Sequence, residues 1–187
     1  MEGWGESLAQ LISTVSRNVN SVEGRVLDVA CGPGTYGRRV ASPSREVFGI
    51  DVSRGMLRQG VALTAREGIV NMHFARARVE ALPFREEYFD GALCCGSLHL
   101  FAATVLALCE TARVMKPEAI LSVFTFTAGN AGILKHRRVR AWSSRRHGLH
   151  VFELSEMERY LQSAGFESFK PEVFGSILTF SARRKAA

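Results

Sequence analysis

The stretch VLDVACGPGTYG, Val26–Gly37, holds an acid, Asp28, and three glycines, Gly32, Gly34 and Gly37, in the G-x-G-x-x-G spacing that lets a backbone turn approach a nucleotide. Asp51 follows Gly34 by seventeen positions, at the end of the next apolar run, where a carboxylate can accept hydrogen bonds from ribose hydroxyls. A third cluster, CCGSLHL, carries His99, whose imidazole titrates near neutral pH and is the candidate base for an acceptor that must lose a proton. The plainer reading of His99 is a polar residue lining a pocket. Tyr36, beside the turn, is a weaker candidate for orienting a substrate.

The turn and Asp51 by themselves fit a nicotinamide dinucleotide as well as an adenosyl cofactor. Asp28 separates the two. A buried acid just ahead of the turn opposes a pyrophosphate, whereas it favours the cationic amino group of a sulfonium cofactor with an amino-acid tail. The plainer alternative is that Asp28 only ties down the turn.

These residues need a scaffold that brings several strand ends together. RVLDVA, EVFGID, VNMHFARA, YFDGALCC and AILSVFTFT read as strands. Helices are expected before Ser21 (Leu8, Leu11, Ile12 and Val15 at helical spacing), from TYGRRVA, from Ser53 to about Gly68, over AATVLALCETARVMKP as far as Pro117, and over SEMERYLQSAGF. Alternation at this rhythm predicts a single α/β domain over residues 1–187: a doubly wound, Rossmann-like sheet, mostly parallel, with helices on both faces. ESFKPEVFGSILTFSARR predicts a closing hairpin with about five residues between its strands and an antiparallel last strand. Residues 127–152 form one long basic connection, expected to act as a lid that covers the site.

VLDVACGPG, VFGIDVSRGML, VEALPFREEYFDGALCCGSLHL and ARVMKP, in that order, resemble the successive motifs of class I S-adenosylmethionine-dependent methyltransferases, in the type 11 branch that includes ubiquinone/menaquinone C-methyltransferases. The resemblance runs from about Gly24 to Arg183 and implies a seven-stranded sheet whose last strand is antiparallel. It implies S-adenosyl-L-methionine as cofactor, with Asp28, Ala30, Gly32 and Gly34 at the methionine part and Cys31 also among the cofactor-binding residues. Asp51 would take the ribose, and Val52 and Met56 would pack on adenine, with Arg78 and Val79 in the third segment beside it. Cys95 would lie beside the sulfonium, with Leu98 and His99 following at the mouth of an acceptor pocket. Two positions depart from the family pattern. Arg78 stands where the family has an acid that accepts a hydrogen bond from the adenine amino group, and arginine has donors only. Backbone contacts or Glu80 then remain to hold adenine, or affinity is weak. Glu118 and Ala119 replace glycines after Lys-Pro.

Composition narrows the remainder. Hydrophobic residues make up 47% and charged residues 22%, ordinary values for a globular domain. No apolar run approaches the roughly 20 residues of a membrane span, and the acids in MEGWGESLAQ argue against a signal peptide, so a cytoplasmic location is expected. Cys31, Cys94, Cys95 and Cys109 lack C-x-x-C spacing, so neither a metal nor a disulfide is expected. The formal charge is +6, and Lys135–His147 alone holds six Lys or Arg. This segment reads first as a solvated basic face and second as a nucleic-acid contact. The expected partner is a small, partly apolar acceptor methylated at carbon or oxygen. An RNA-directed methyltransferase is the alternative, although the sequence lacks Asn/Asp-Pro-Pro-aromatic and Pro-Cys motifs. A degenerate fold used for binding is the other alternative, motivated by Arg78. The short segment before Gly24 leaves room for a homodimer or a partner subunit.

Overall fold

The structure is a computed structural model that describes residues 13–127 and 150–186. Its centre is a seven-stranded sheet in the order β3-β2-β1-β4-β5-β7-β6. The strands are β1 (Gly24–Val29), β2 (Arg45–Asp51), β3 (Met72–Arg76), β4 (Phe89–Cys95), β5 (Met115–Phe126), β6 (Phe166–Phe174) and β7 (Ile177–Arg184). Strands β1 to β5 pair in parallel, whereas β7 runs antiparallel to both neighbours, β5 and β6. The sheet, its parallel majority and its antiparallel last strand are those the sequence predicts.

Alternation along the buried strands divides the core between two faces. Val26, Val47, Met72 and Leu93 join Val19 of helix α1 (described residues 13–20) on one side. Leu27, Ile50, Ala92 and Leu121 belong to the larger cluster, with Leu108 of α4 (Thr104–Val114) and Met157 and Leu161 of α5 (Leu154–Ser163). Helix α3 (Arg54–Glu67) begins and ends as its sequence predicts. The Ser53 side chain accepts from the Met56 amide, and Gly68 closes the helix in the left-handed conformation at φ 68°. Of the expected N-terminal helix, Leu8, Leu11 and Ile12 lie outside the described residues, and Val15 is buried.

Three local expectations are corrected. Helix α4 stops at Val114, and Met115 already opens β5, so Pro117 lies inside the strand rather than ending the helix. The pairing shifts there between Phe89 and Gly91 of β4, and this irregularity accommodates Pro117 and puts Glu118 at φ 65°. The closing hairpin has only Gly175 and Ser176 between its strands. Pro171 lies within β6, an edge strand that tolerates a missing backbone donor. The helix after the glycine turn, α2, is one turn long, Gly37–Val40. The expected basic lid lies mostly outside the described residues. Its two ends meet at Thr127, whose hydroxyl donates to the Phe152 carbonyl at 2.9 Å.

Candidate cofactor site

Strand order reverses beside β1, whose neighbours β2 and β4 lead to opposite halves of the sheet. A crevice forms outside the carboxyl ends at such a switch point. A cleft of about 680 Å³ lies there, lined by the ends of β1, β2, β3 and β4 and the loops that follow them. Of the expected site residues, Ala30, Cys31, Gly32, Tyr36, Asp51, Val52, Met56, Arg78, Val79 and Cys95 line it, and Gly34 does not.

Asp51 is fixed by the backbone around it. One carboxylate oxygen accepts from the Gly32 amide at 2.9 Å and the other from the Ser53 amide at 2.7 Å. The carboxylate therefore ties the glycine turn to the start of α3, and each oxygen keeps a lone pair for a ligand hydroxyl. Val52 and Met56 are 56% and 45% exposed and line the cleft, where their apolar surface suits the face of a flat heterocycle.

The three glycines of the turn do different work. At Gly32, φ 54°, a Cβ would meet no atom within 4 Å, so this is the glycine that leaves the cleft open. Gly34, at φ 73°, turns the other way: a Cβ there would come within 2.7 Å of the Met72 side chain and 3.0 Å of the Phe74 ring. At Gly37 a Cβ would meet Met72 at 2.6 Å and Asp28 at 2.7 Å. Two of the three glycines thus face packed side chains of the sheet and not the cleft.

Several expected site residues lie behind the lining. Asp28 is 1% exposed, and one of its oxygens accepts from the Gly37 amide at 3.1 Å, so the first amide of α2 is directed at this buried acid and not at the cleft. Burial pushes the Asp28 carboxyl up to about 7, opposed by the Gly37 hydrogen bond and reinforced by the neighbouring Asp51 charge. Leu98 is a core residue, 1% exposed. His99 is also buried, its ring 4.7 Å from that of Phe126 and its Nδ1 3.4 Å from the Thr125 hydroxyl. Burial lowers its pKa, so the imidazole is held neutral. Tyr36 does face the cleft, and burial pushes its hydroxyl up to about 12, which keeps it a phenol. Burial likewise raises the thiols of Cys31, Cys94 and Cys95, so none is a ready thiolate nucleophile. Among the described residues no disulfide links the four cysteines and no cluster of side chains is arranged to hold a metal. No described helix is long and apolar enough to cross a membrane.

Glu80, Ser53, Gly96, Ser97, Leu100 and Phe101 also belong to the lining. Ser97 carries no signal in the sequence, yet its hydroxyl donates to the Ala30 carbonyl at 3.1 Å and joins the β4 loop to the β1 loop. Glu80 and Ser53 have a signal of their own in the sequence, as a possible adenine contact and a helix cap, whereas Gly96 and Ser97 are marked only by following the end of β4.

The family described as Methyltransferase domain matches residues 26–118, which contain all four strand ends that line the cleft. The chain carries a methyltransferase-family domain. This methyltransferase domain is 30% identical over 114 residues to the uncharacterized methyltransferase YcgJ of Bacillus subtilis, covering 61% of this chain and 44% of that protein. It is 36% identical over 107 residues to the ubiquinone/menaquinone biosynthesis C-methyltransferase UbiE of Syntrophotalea carbinolica, covering 56% and 44%. The matched segment spans less than half the length of these relatives. In fold, the crystal structure of YcgJ matches with a TM-score of 0.80 at 18% identity, over 96% of this chain and 100% of that one. The crystal structure of the [4+2]-cyclase SpnF matches with 0.81 at 22% identity, over 95% and 81%. At these identities the two structures establish the fold alone.

Proposed function

We propose that the methyltransferase domain binds S-adenosyl-L-methionine across Gly32 and Asp51 and transfers its methyl group to a small, partly apolar acceptor at carbon or oxygen. The observation that carries this reading is the convergence of four parallel strand ends on one cleft whose acid, Asp51, is already fixed by the Gly32 and Ser53 amides. The donor set suits the cofactor: a carboxylate for the ribose, exposed Val52 and Met56 for adenine, and an open glycine for the amino-acid tail.

When bound, a sulfonium supplies a methyl group open to in-line displacement, and most of the acceleration then comes from alignment and exclusion of water. In this chain the alignment falls to a run of rings beyond the cleft floor. Tyr36 lies 6.3 Å from Phe124, and Phe124 lies 5.9 Å from Phe126, which in turn stands against His99. A Cβ on Gly96 would come within 3.3 Å of the Phe124 ring, so this wall adjoins the cleft at the Cys95–Gly96 end. An apolar acceptor packs against the edges and faces of these mutually tilted rings while the Tyr36 phenol donates to its oxygen. His99 acts as a base only for an acceptor that reaches past Phe126. An anionic oxygen or carbon nucleophile needs no base from the protein.

A second reading, binding without methyl transfer, is favoured by one observation: Arg78, a cation, lines the cleft where an adenine-contacting acid is expected. Incubating the purified protein with methyl-labelled S-adenosylmethionine and a cell extract separates these readings. The proposal expects protein-dependent label in the organic-soluble small-molecule fraction. Label confined to RNA, or no label in any fraction, contradicts it.

A further inference from the structure

Adenine must be distinguished from other bases by its exocyclic amino group, a donor that needs an acceptor, and Arg78 has none. We infer that Glu80 takes this role, with Arg78 acting as the residue that positions it; the inference rests on the cofactor reading above. The turn from Arg78 to Ala81 is closed by the Ala81 amide donating to the Arg78 carbonyl at 3.2 Å. Val79 anchors the turn in the core at 7% exposure. The two charged side chains then part company. That of Arg78 is 74% exposed, whereas that of Glu80 is 19% exposed and belongs to the cleft lining.

The guanidinium Nε of Arg78 sits 3.4 Å from Oε2 of Glu80. Among the described residues this is the ion pair that Glu80 makes, and it engages one oxygen from the solvent side. The second oxygen, Oε1, is left to accept from a ligand N–H. Arg78 thus replaces the expected acid in sequence without replacing its chemistry, which moves two residues along the same turn. Val52 and Met56 line the same cleft, and the β3 end is tied to the β2 end beside them: the Ala77 amide donates to the Asp51 carbonyl at 3.2 Å and Arg76 Nε to the Val52 carbonyl at 3.0 Å.

The test compares S-adenosylhomocysteine with its deaminated analogue, S-inosylhomocysteine, by calorimetry. Deamination turns the amino donor into a carbonyl that faces the Glu80 carboxylate. Wild-type protein is expected to prefer the adenosyl compound by roughly tenfold or more, the effect of one hydrogen bond to a charged group. Glu80→Ala weakens S-adenosylhomocysteine by about the same factor and removes the preference. Glu80→Gln folds with the shape preserved and can either accept from adenine or donate to hypoxanthine, so it binds both ligands within a few-fold. Arg78→Ala, which leaves the acceptor in place, is expected to reduce the preference only partly. A full wild-type preference in Glu80→Gln, or unchanged affinity in a folded Glu80→Ala, overturns the assignment. Failure of the wild-type protein to bind either ligand overturns the cofactor reading itself.

Discussion

At the scale of single residues, the two acids of the first two strands divide their work by depth. Asp51 sits at the cleft with both oxygens engaged by amides and lone pairs to spare. Asp28 sits beneath it, fully buried, with the Gly37 amide as its hydrogen-bond donor. A raised carboxyl pKa in the folded state means that the native protein holds its proton more tightly than the unfolded chain. Asp28 therefore favours folding at low pH, and that contribution is lost as the pH rises from its ordinary 3.8 through about 7. Asp28→Asn retains an acceptor for Gly37 without a charge to bury. Chemical denaturation from pH 5 to 8 is expected to show the wild-type losing stability relative to Asp28→Asn as the pH rises. A constant difference across that range contradicts the assignment.

At the scale of the element, the glycine turn is held between the cleft and β3, and its glycines respond to different neighbours. Gly32→Ala is expected to cost about 1–2 kcal/mol for its left-handed backbone and to reduce S-adenosylhomocysteine binding, because its methyl enters open cleft space. Gly34→Ala carries the same backbone penalty and also meets Met72 and Phe74, so its loss of stability in a thermal melt is the larger. Equal losses in the two variants would show that the turn is not packed in this way. The motif spacing made this turn legible in the sequence, as Ser53 and Gly68 made the ends of α3 legible. Which way each glycine faces was not legible, since that depends on Met72 and Phe74 of β3, four elements later. Pro117 misled for a related reason. A proline normally ends a helix, but α4 had already ended at Val114, and a shift in strand pairing made room for Pro117 within β5.

At the scale of the whole molecule, the order of strands and helices was readable because burial on both faces makes parallel strands continuous apolar runs. The site residues that follow directly on strand ends were readable with them. Leu98 and His99 were not, because the 3-10 turn at Leu98–Leu100 rotates them into the core and leaves Leu100 in the cleft lining. The fold is shared with a [4+2]-cyclase, while part of the sequence resembles a C-methyltransferase, so the chemistry has to be argued from the cleft. What the proposed function most directly requires is an adenosyl ligand held by Asp51. Titrating the wild-type protein and Asp51→Ala with S-adenosylhomocysteine in a calorimeter measures that requirement. The expected result is saturable one-to-one binding by the wild-type, weakened by roughly tenfold or more in Asp51→Ala, with Asp51→Asn between them because it keeps one acceptor oxygen. No saturable binding by the wild-type, or equal affinity in a folded Asp51→Ala, would contradict it.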